Sequence, residues 1–286
     1  MKLIEAVERA AAQLDAAGVS FGHGTTNAFD EAAWLVLWRL ALPLDALDPA
    51  ATREVGAVEQ AAIDTLVQQR ITTRAPLAYL TGEAWLQGLP FHVDARSIVP
   101  RSPIAEVIVQ GLAEPWLQEP PARILDLCTG NGSLAVLAAL AWPQARVDAT
   151  DLSAQALAVA ERNVHRHNLG ERVRLRQGDG LAAAAGRYSL VLCNPPYVPE
   201  ASMQGLPPEY HAEPALALAG GADGMDFIRP LLRELPAFLA PGGVLLLEVG
   251  HERAHFEAAF PHLQPVWLAT SAGDDAVLLL TAEDLR

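Results

Sequence analysis

The chain is almost without lysine. Of its 20 basic residues only Lys2 is one, and 34 Asp and Glu stand against them, for a formal net charge of −14. A basic face supplies most of the non-specific affinity of proteins for nucleic acid. The balance therefore argues against a chain that coats RNA or DNA, and suits either solubility or a partner of opposite charge. Cysteine is nearly absent too: Cys128 and Cys193 alone cannot make a disulfide framework. No apolar run is long enough to cross a bilayer. The longest, Leu134–Trp142, spans nine residues and stops at Pro143, where a membrane helix needs about 20. Met1-Lys2-Leu3-Ile4-Glu5 has no apolar stretch before its first acid, so no secretory leader is expected and the expected compartment is the cytoplasm. Hydrophobic residues make up 51% and charged ones 19%, which excludes disorder. A length of 286 residues suits about two domains.

What is present is ordered along the chain. Ile4, Val7, Ala11 and Leu14 recur at helical spacing. Asp30 is placed to cap a second helix carrying Trp34, Leu37, Trp38 and Ala41, and Thr52 a third with Val55, Val58, Ala62 and Leu66. Residues 1–75 thus read as a small helical domain. Ala84-Trp85-Leu86 and Leu89–Val93 flank Gln87-Gly88 as two strands around a tight turn. Pro100, Pro103, Pro115, Pro120 and Pro121 follow, so 76–119 reads as a connector containing a β-hairpin. From 120 to 286 strands alternate with helices, which implies an α/β fold with a mostly parallel, doubly wound sheet. The last two strands, near Val266–Thr270 and Ala276–Thr281, lie too close for a crossover helix and form an antiparallel hairpin.

Asp126-Leu127-Cys128-Thr129-Gly130-Asn131-Gly132-Ser133 leaves the first strand of this region and opens a helix. Gly130 and Gly132 let the backbone turn tightly and approach a ligand. Asp151, with Leu152 after it, ends the next strand, where a carboxylate can accept two ribose hydroxyls. Two cofactors fit this much. Gly130-x-Gly132-x-x-Ala135 meets a relaxed dinucleotide fingerprint. S-adenosylmethionine fits as well, with Asp126 placed to help hold its ammonium. Next, the apolar strand Tyr188–Cys193 runs into Asn194-Pro195-Pro196-Tyr197. Two prolines end the strand's ladder because neither has an N–H. The Asn194 side-chain oxygen and the Pro195 carbonyl can then accept both N–H groups of a planar amide, and Tyr197 offers a flat ring beside it.

With these residues on view, the chain resembles the class I S-adenosylmethionine-dependent methyltransferases that act on planar nitrogens, and among them the N5-glutamine protein methyltransferases. The resemblance covers essentially the whole chain and includes Gly220-Gly221-Ala222-Asp223-Gly224-Met225-Asp226 and Asp179-Gly180. It implies a Rossmann-like catalytic domain and S-adenosyl-L-methionine as cofactor. The cofactor would be bound by Asp126, Cys128, Thr129, Gly130, Asn131, Gly132, Asp151, Leu152, Asp179, Gly180 and Asn194. Asp151 would meet the ribose and Asp179 lie near the adenine. Asn194, Pro195, Pro196 and Tyr197 would hold the substrate glutamine, with Asn194, Pro195 and Tyr197 as the catalytic group. Cys128 departs from the glycine usual at its place, and its small size suggests a packing role. Two branches of the family differ in the connector. Val99-Pro100-Arg101-Ser102-Pro103, like Tyr79-Leu80-Thr81 and the Cys-Thr-Gly loop, resembles the branch acting on a basic large-subunit ribosomal protein. The branch acting on release factors reads Ile-Pro-Arg-Pro-Glu-Thr there and is the alternative.

Other motifs point to nothing further. His251-Glu252-Arg253-Ala254-His255 has the letters of a zinc-protease helix, but Ala258 and Pro261 stand where the extended pattern wants glycine and histidine. No metal is expected. His165 and His167 are two apart on a helix and so not on one face, which implies solvent exposure. Trp34 and Trp38 read as bundle core.

Overall fold

The first helix forms its stripe where the spacing implies. The third long helix buries Ile63, Leu66, Val67 and Arg70 instead of Val58 and Ala62, and Ala41 lies beyond the end of the second. The helix starts are set by whichever oxygen meets the free N–H groups. The computed structural model describes residues 1–286. Its first helix, Leu3–Ala16, buries Leu3, Ala6, Val7, Ala10, Ala11 and Leu14, one face at a 3.6-residue period. The second, Ala28–Arg39, is capped by Asn27 and not by Asp30. The Asp30 N–H itself donates to Asn27 Oδ1 at 2.9 Å, which satisfies a donor that the helix leaves free. Trp34 is buried and Trp38 half-buried on this helix. The third long helix, Ala57–Thr73, begins at Gly56 rather than at Thr52, because Glu59 reaches back to accept the Gly56 N–H at 3.0 Å. Val55 is buried ahead of this helix, and Val58 stands 85% exposed on it. Residues Leu47–Ala50 make a separate short turn of helix.

Two units are distinguished: Met1–Ala84 with Leu206–Ala212, and Trp85–Gly205 with Glu213–Arg286. The first holds an ionic cluster that hydrophobic spacing does not disclose. Arg70, 1% exposed, donates from Nε to Glu31 Oε1 at 2.7 Å, from Nη1 to Glu209 Oε1 at 3.2 Å and from Nη2 to the Ser20 carbonyl at 3.0 Å. Glu31 and Glu209 are equally buried. A planar guanidinium with five donors is suited to serve several acceptors at once.

The hairpin, β1 (Glu83–Leu86) and β2 (Leu89–His92), turns on Gln87 and Gly88. Both have positive φ, 50° and 75°, the backbone that a two-residue loop between twisted strands requires. The sheet of the second unit comprises β3 (Arg123–Leu127), β4 (Arg146–Asp151), β5 (Val173–Gln177), β6 (Tyr188–Cys193), β7 (Leu239–Glu248), β8 (Val266–Thr270) and β9 (Gly273–Thr281). Their order is β5-β4-β3-β6-β7-β9-β8. The first five strands in that order run parallel, while β9 is antiparallel to both neighbours. The terminal hairpin is as expected, and β9 is inserted between β7 and β8. Side chains divide by twos. Ile124, Leu190, Leu192, Val244 and Leu246 enter the core containing the helix Ser133–Ala141. Leu125, Leu127, Val191, Cys193, Leu245 and Leu247 enter the core containing Ile228, Leu231 and Leu232 of the helix Ile228–Glu234. Sandwiched strands of this kind read as unbroken apolar runs, as Leu190–Cys193 does.

His167 departs from its expected exposure. Its Nε2 lies 3.0 Å from the Pro90 carbonyl, and its ring centroid is 5.2 Å from that of Phe91. No helix is long and apolar enough to cross a membrane. Arg70→Ala is expected to destabilise the helical unit by about 3–5 kcal/mol, since it leaves buried Glu31 without its ion pair and Glu209 with Arg74 alone. Arg9→Ala, which breaks the exposed pair with Asp64, is expected to cost at most about 1 kcal/mol. Urea unfolding followed by circular dichroism compares the two.

Candidate functional site

The chain passes from β3 to β4 and β5 on one side and then crosses to β6 on the other. This leaves a crevice at the carboxyl ends of β3 and β6, where open parallel sheets bind ligands. The glycine loop occupies that point. Thr129 donates its N–H to the Thr150 carbonyl at 2.9 Å, and its hydroxyl donates to Asp126 Oδ2. Gly130 and Gly132 have φ of 56° and 80°. A Cβ on Gly132 would lie 3.0 Å from Ala160 Cβ, so glycine there lets the helix Ala154–Arg166 pack against the loop. Ser153 caps that helix, accepting from the Ala156 N–H at 3.1 Å. Asn163, fully buried, ties the loop to β2. Its Oδ1 accepts the His92 N–H at 2.6 Å, and its Nδ2 donates to the carbonyls of His92 and Asn131 at 3.0 and 2.8 Å.

One cavity lies against this loop. Cys128, Gly130, Asp151, Leu152, Asp179, Gly180, Asn194 and Pro196 line it. Of the other residues singled out in the sequence, Asp126, Thr129, Asn131, Pro195 and Tyr197 are not on its wall, nor is Gly132. Asp126, Thr129, Asn131 and Pro195 are buried behind it. The sequence did not disclose Arg96, Ser97 and Ile98 of the connector, nor Pro214, Leu216, Ala217 and Phe227, all of which border the cavity. Leu152 and Leu216 are 48% and 58% exposed, unusual for leucine and suited to an apolar ring. The one signal for the later segment is indirect. Arg101 forks onto Glu213 at 2.6 and 2.8 Å, and the Val99 N–H donates to Glu213 Oε1 at 2.9 Å. The Val99–Arg101 connector motif thus anchors the chain just before Pro214.

Cys128 corrects the sequence reading: it is half-buried and faces the cavity. Its φ of 56° is left-handed, a conformation that costs an L-residue about 1–2 kcal/mol, which accounts for glycine being usual there. Burial pushes the Cys193 thiol well up, and the neighbouring Cys128 thiol adds to the shift.

Three carboxylates carry the electrostatics. Asp151 accepts the Gly130 N–H on Oδ2 at 2.9 Å and the Ser153 N–H on Oδ1 at 2.8 Å. Each oxygen keeps a lone pair, which suits a ribose diol. Burial raises its pKa and the two N–H bonds work against the rise. Asp126 is fully buried and pushed up to about 7 by that burial, with Thr129 the chief opposing contact; its Oδ1 has no hydrogen-bond partner. A buried acceptor without a donor is costly, and an ammonium group is the kind of donor that would satisfy it. Glu248, at the end of β7, is likewise pushed up to about 7 by burial, against the hydrogen bonds from Ser102 and Tyr197. The cavity, with Asp151 and Asp179 on its wall and the unpartnered Asp126 oxygen behind it, therefore fits a nucleoside-bearing, cationic cofactor such as S-adenosylmethionine.

Comparisons with known proteins agree. A family profile described as Methyltransferase small domain matches residues 105–205. The ribosomal protein uL3 glutamine methyltransferase of Bordetella pertussis (strain Tohama I) is 56% identical, over 99% of this chain and 96% of that protein. The protein of the same name from Burkholderia pseudomallei (strain K96243) is 49% identical, over 98% and 94%. The chain belongs to the ribosomal protein uL3 glutamine methyltransferase family. The choice between branches made on the connector is thus the right one. The hMettl16 catalytic domain, solved in complex with MAT2A 3′UTR hairpin 6, superposes with a TM-score of 0.54 at 13% identity, over 79% of this chain and 81% of that one. It shares the fold.

Two outcomes are expected. Asp151→Ala lowers S-adenosylmethionine affinity at least about 10-fold in calorimetric titration, since hydrogen bonds to a charged group contribute about 1.5–3 kcal/mol each. The second concerns pH. Asp126 keeps its proton to about 7 when folded and releases it near 4 when unfolded. Its contribution is fully present below about pH 4 and is lost as pH rises through about 7. The melting temperature is expected to fall between pH 5.5 and 8, and less steeply in Asp126→Asn.

Proposed function

We propose that this chain transfers the methyl group of S-adenosylmethionine to the side-chain amide nitrogen, N5, of a glutamine in ribosomal protein uL3. The observation that carries the proposal is Asn194-Pro195-Pro196-Tyr197 leaving β6 at the rim of the cavity beside Asp151 and the glycine loop. Near-full-length identity to relatives named for that reaction supports it.

When bound, the cofactor supplies a methyl group on a positively charged sulfur. Asp151 would hold the ribose and Asp179 the adenine side, with Leu152, Leu216 and Phe227 as apolar walls for the ring. Cys128, Thr129, Gly130, Asn131 and Gly132 would shape the loop around the amino-acid end, and Asp126 would help hold the ammonium. An amide nitrogen is a weak nucleophile because its lone pair is delocalised. Asn194 Oδ1 and the Pro195 carbonyl accept its two N–H groups and hold it with one face to the cofactor. As the N–CH₃ bond replaces the S–CH₃ bond the nitrogen becomes positive and those two bonds strengthen, so they favour the transition state over the ground state. The nitrogen then sheds one proton to water and is left as the neutral N-methyl amide. Ordering of both reactants can supply as much as about 7–11 kcal/mol of barrier lowering.

The helical unit is the part that docks the protein substrate, and the work is done in the cytoplasm, where ribosomal proteins are made. Ribosomal proteins are generally basic, so the net charge of −14 speeds encounter and repels RNA.

Incubation with labelled methyl donor and, separately, uL3, a release factor and DNA tests the proposal by mass spectrometry. Label on one glutamine of uL3 is expected. Label on the release factor selects the other branch, and label on a base, or none, overturns the proposal. Asn194→Ala is expected to lower kcat about 100-fold, with a smaller loss of cofactor affinity. Raising salt from 50 to 300 mM is expected to slow methylation of full-length uL3 more than that of a short neutral peptide, because screening weakens long-range attraction.

A further inference from the structure

We propose that Glu248 is a positioning residue for methyl transfer, acting through the hydroxyl of Tyr197 and completed by Ser102 of the connector. The inference rests on the glutamine-methylating reading of the same site.

The freedom left in the Asn194–Tyr197 turn motivates it. Both prolines lock φ near −65°, and a residue before proline is held out of the helical region. That restrains Asn194 and Pro195. Tyr197 is the first residue after the two prolines whose φ no proline ring sets, so what holds Tyr197 holds the far end of the turn that carries Asn194 and the Pro195 carbonyl. Three glycines surround Tyr197. A Cβ on Gly224 would come 2.3 Å from the Tyr197 carbonyl oxygen, one on Gly220 2.7 Å from its Cα, and one on Gly250 2.6 Å from ring atom Cε2. The next residue is clamped as well: the Val198 N–H donates to the Leu218 carbonyl and the Gly220 N–H to the Val198 carbonyl, both at 2.8 Å. Shape holds the backbone and one side of the ring. The far end of the side chain is held by Glu248, whose Oε1 accepts the Tyr197 hydroxyl at 2.9 Å.

Glu248 is 4% exposed and has a second hydroxyl donor. Ser102 donates to its Oε2, and the Ser102 oxygen in turn accepts the Ile104 N–H at 3.2 Å, at the start of the helix Ile104–Val109. The directions of these bonds are therefore set. In its ionised form Glu248 accepts only, so both hydroxyls then donate to it, and the serine oxygen is left to take the backbone N–H. Glutamine has the same shape but one carbonyl oxygen and one NH₂, so it can satisfy only one of the two hydroxyls as an acceptor. Nothing in this arrangement touches the cavity wall, so its loss should appear in turnover and not in cofactor binding.

The test is a double-mutant cycle on the full chain, with kcat measured on uL3 and cofactor affinity by calorimetry. Glu248→Gln and Tyr197→Phe are each expected to lower kcat about 10-fold, the value of one hydrogen bond to a charged group, with cofactor Kd unchanged within about twofold. In the double variant kcat is expected to fall no further than in Tyr197→Phe alone, because the two changes remove one interaction. A kcat for Glu248→Gln within about twofold of the parent, or losses that multiply to about 100-fold, overturns the inference. Should Glu248→Gln fail to fold, Ser102→Ala serves in its place. It is expected to lower kcat about threefold in the parent and not at all in the Tyr197→Phe background, and a loss that persists in that background overturns the inference. A parent chain that methylates no glutamine overturns the reading beneath it, whereas the outcomes above, with an active parent, bear on Glu248 alone.

Discussion

Strands β3, β6 and β7 are covered on both faces, and this constraint governs where polar chemistry can stand. A fully buried strand satisfies its own N–H and C=O groups within the ladder. Its side chains must then be apolar until the strand reaches an edge. In these three strands the rule gives way near the carboxyl ends, at Asp126 before Thr129, Asn194 beyond Cys193 and Glu248 before Gly250, with Asp151 ending the adjoining β4; β4 also buries Asp148 in mid-strand, where Arg123 meets it. The four groups at the carboxyl ends are far apart in sequence. They gather because parallel strands in register finish together, as Leu127 opposite Cys193 and Cys193 opposite Leu247 show.

A second constraint follows from the first. A carboxylate at such an edge is partly or wholly out of water, and a buried charge must find donors or give up its charge. The chain solves this in two ways. Glu31, Glu209 and Glu213 meet arginine, whose fork satisfies several lone pairs at once. Asp126 and Glu248 meet hydroxyls, which cannot neutralise a charge, and both are pushed up to about 7. The first solution serves the anchoring of loops; the second keeps a responsive acid beneath the glycine loop and the Asn194–Tyr197 turn.

Much of this was legible in the sequence because it is local. The alternation of apolar runs with helical stripes discloses the parallel sheet. The absence of space between Thr270 and Ala276 discloses the hairpin, and glycine and proline in the loops disclose the carboxyl-edge turns. The cavity residues that were foreseen all lie within a few positions of a strand end. Those that were missed come from elsewhere. Arg96 to Ile98 and Pro214 to Ala217 are brought to the cavity by long-range bonds such as Arg101 to Glu213, for which spacing carries no signal. Capping positions were misplaced for a related reason. Asp30 and Thr52 were the expected caps, but the choice turns on which side chain bends back to a free N–H: Asn27 does so for the second helix and Glu59 for the third. The Gly220–Asp226 run was matched as a pattern, yet its physical cause is tertiary: it is the surface against which Tyr197 fits.

The same partition bears on the charge of the whole chain. Arg70, Arg74 and Arg101 are drawn inward to meet Glu31, Glu209 and Glu213. Each such meeting is close to neutral in sum, so the bases spent there offset nothing outside. Arginine is the base suited to that task, being more weakly hydrated than lysine and able to bond in a plane. With lysine reduced to Lys2 and part of the arginine turned inward, nearly all of the −14 is carried by side chains that face water. A field at the surface is what an approaching partner feels. The acidity is therefore a property of the exterior, fixed by how the interior satisfies its own acids.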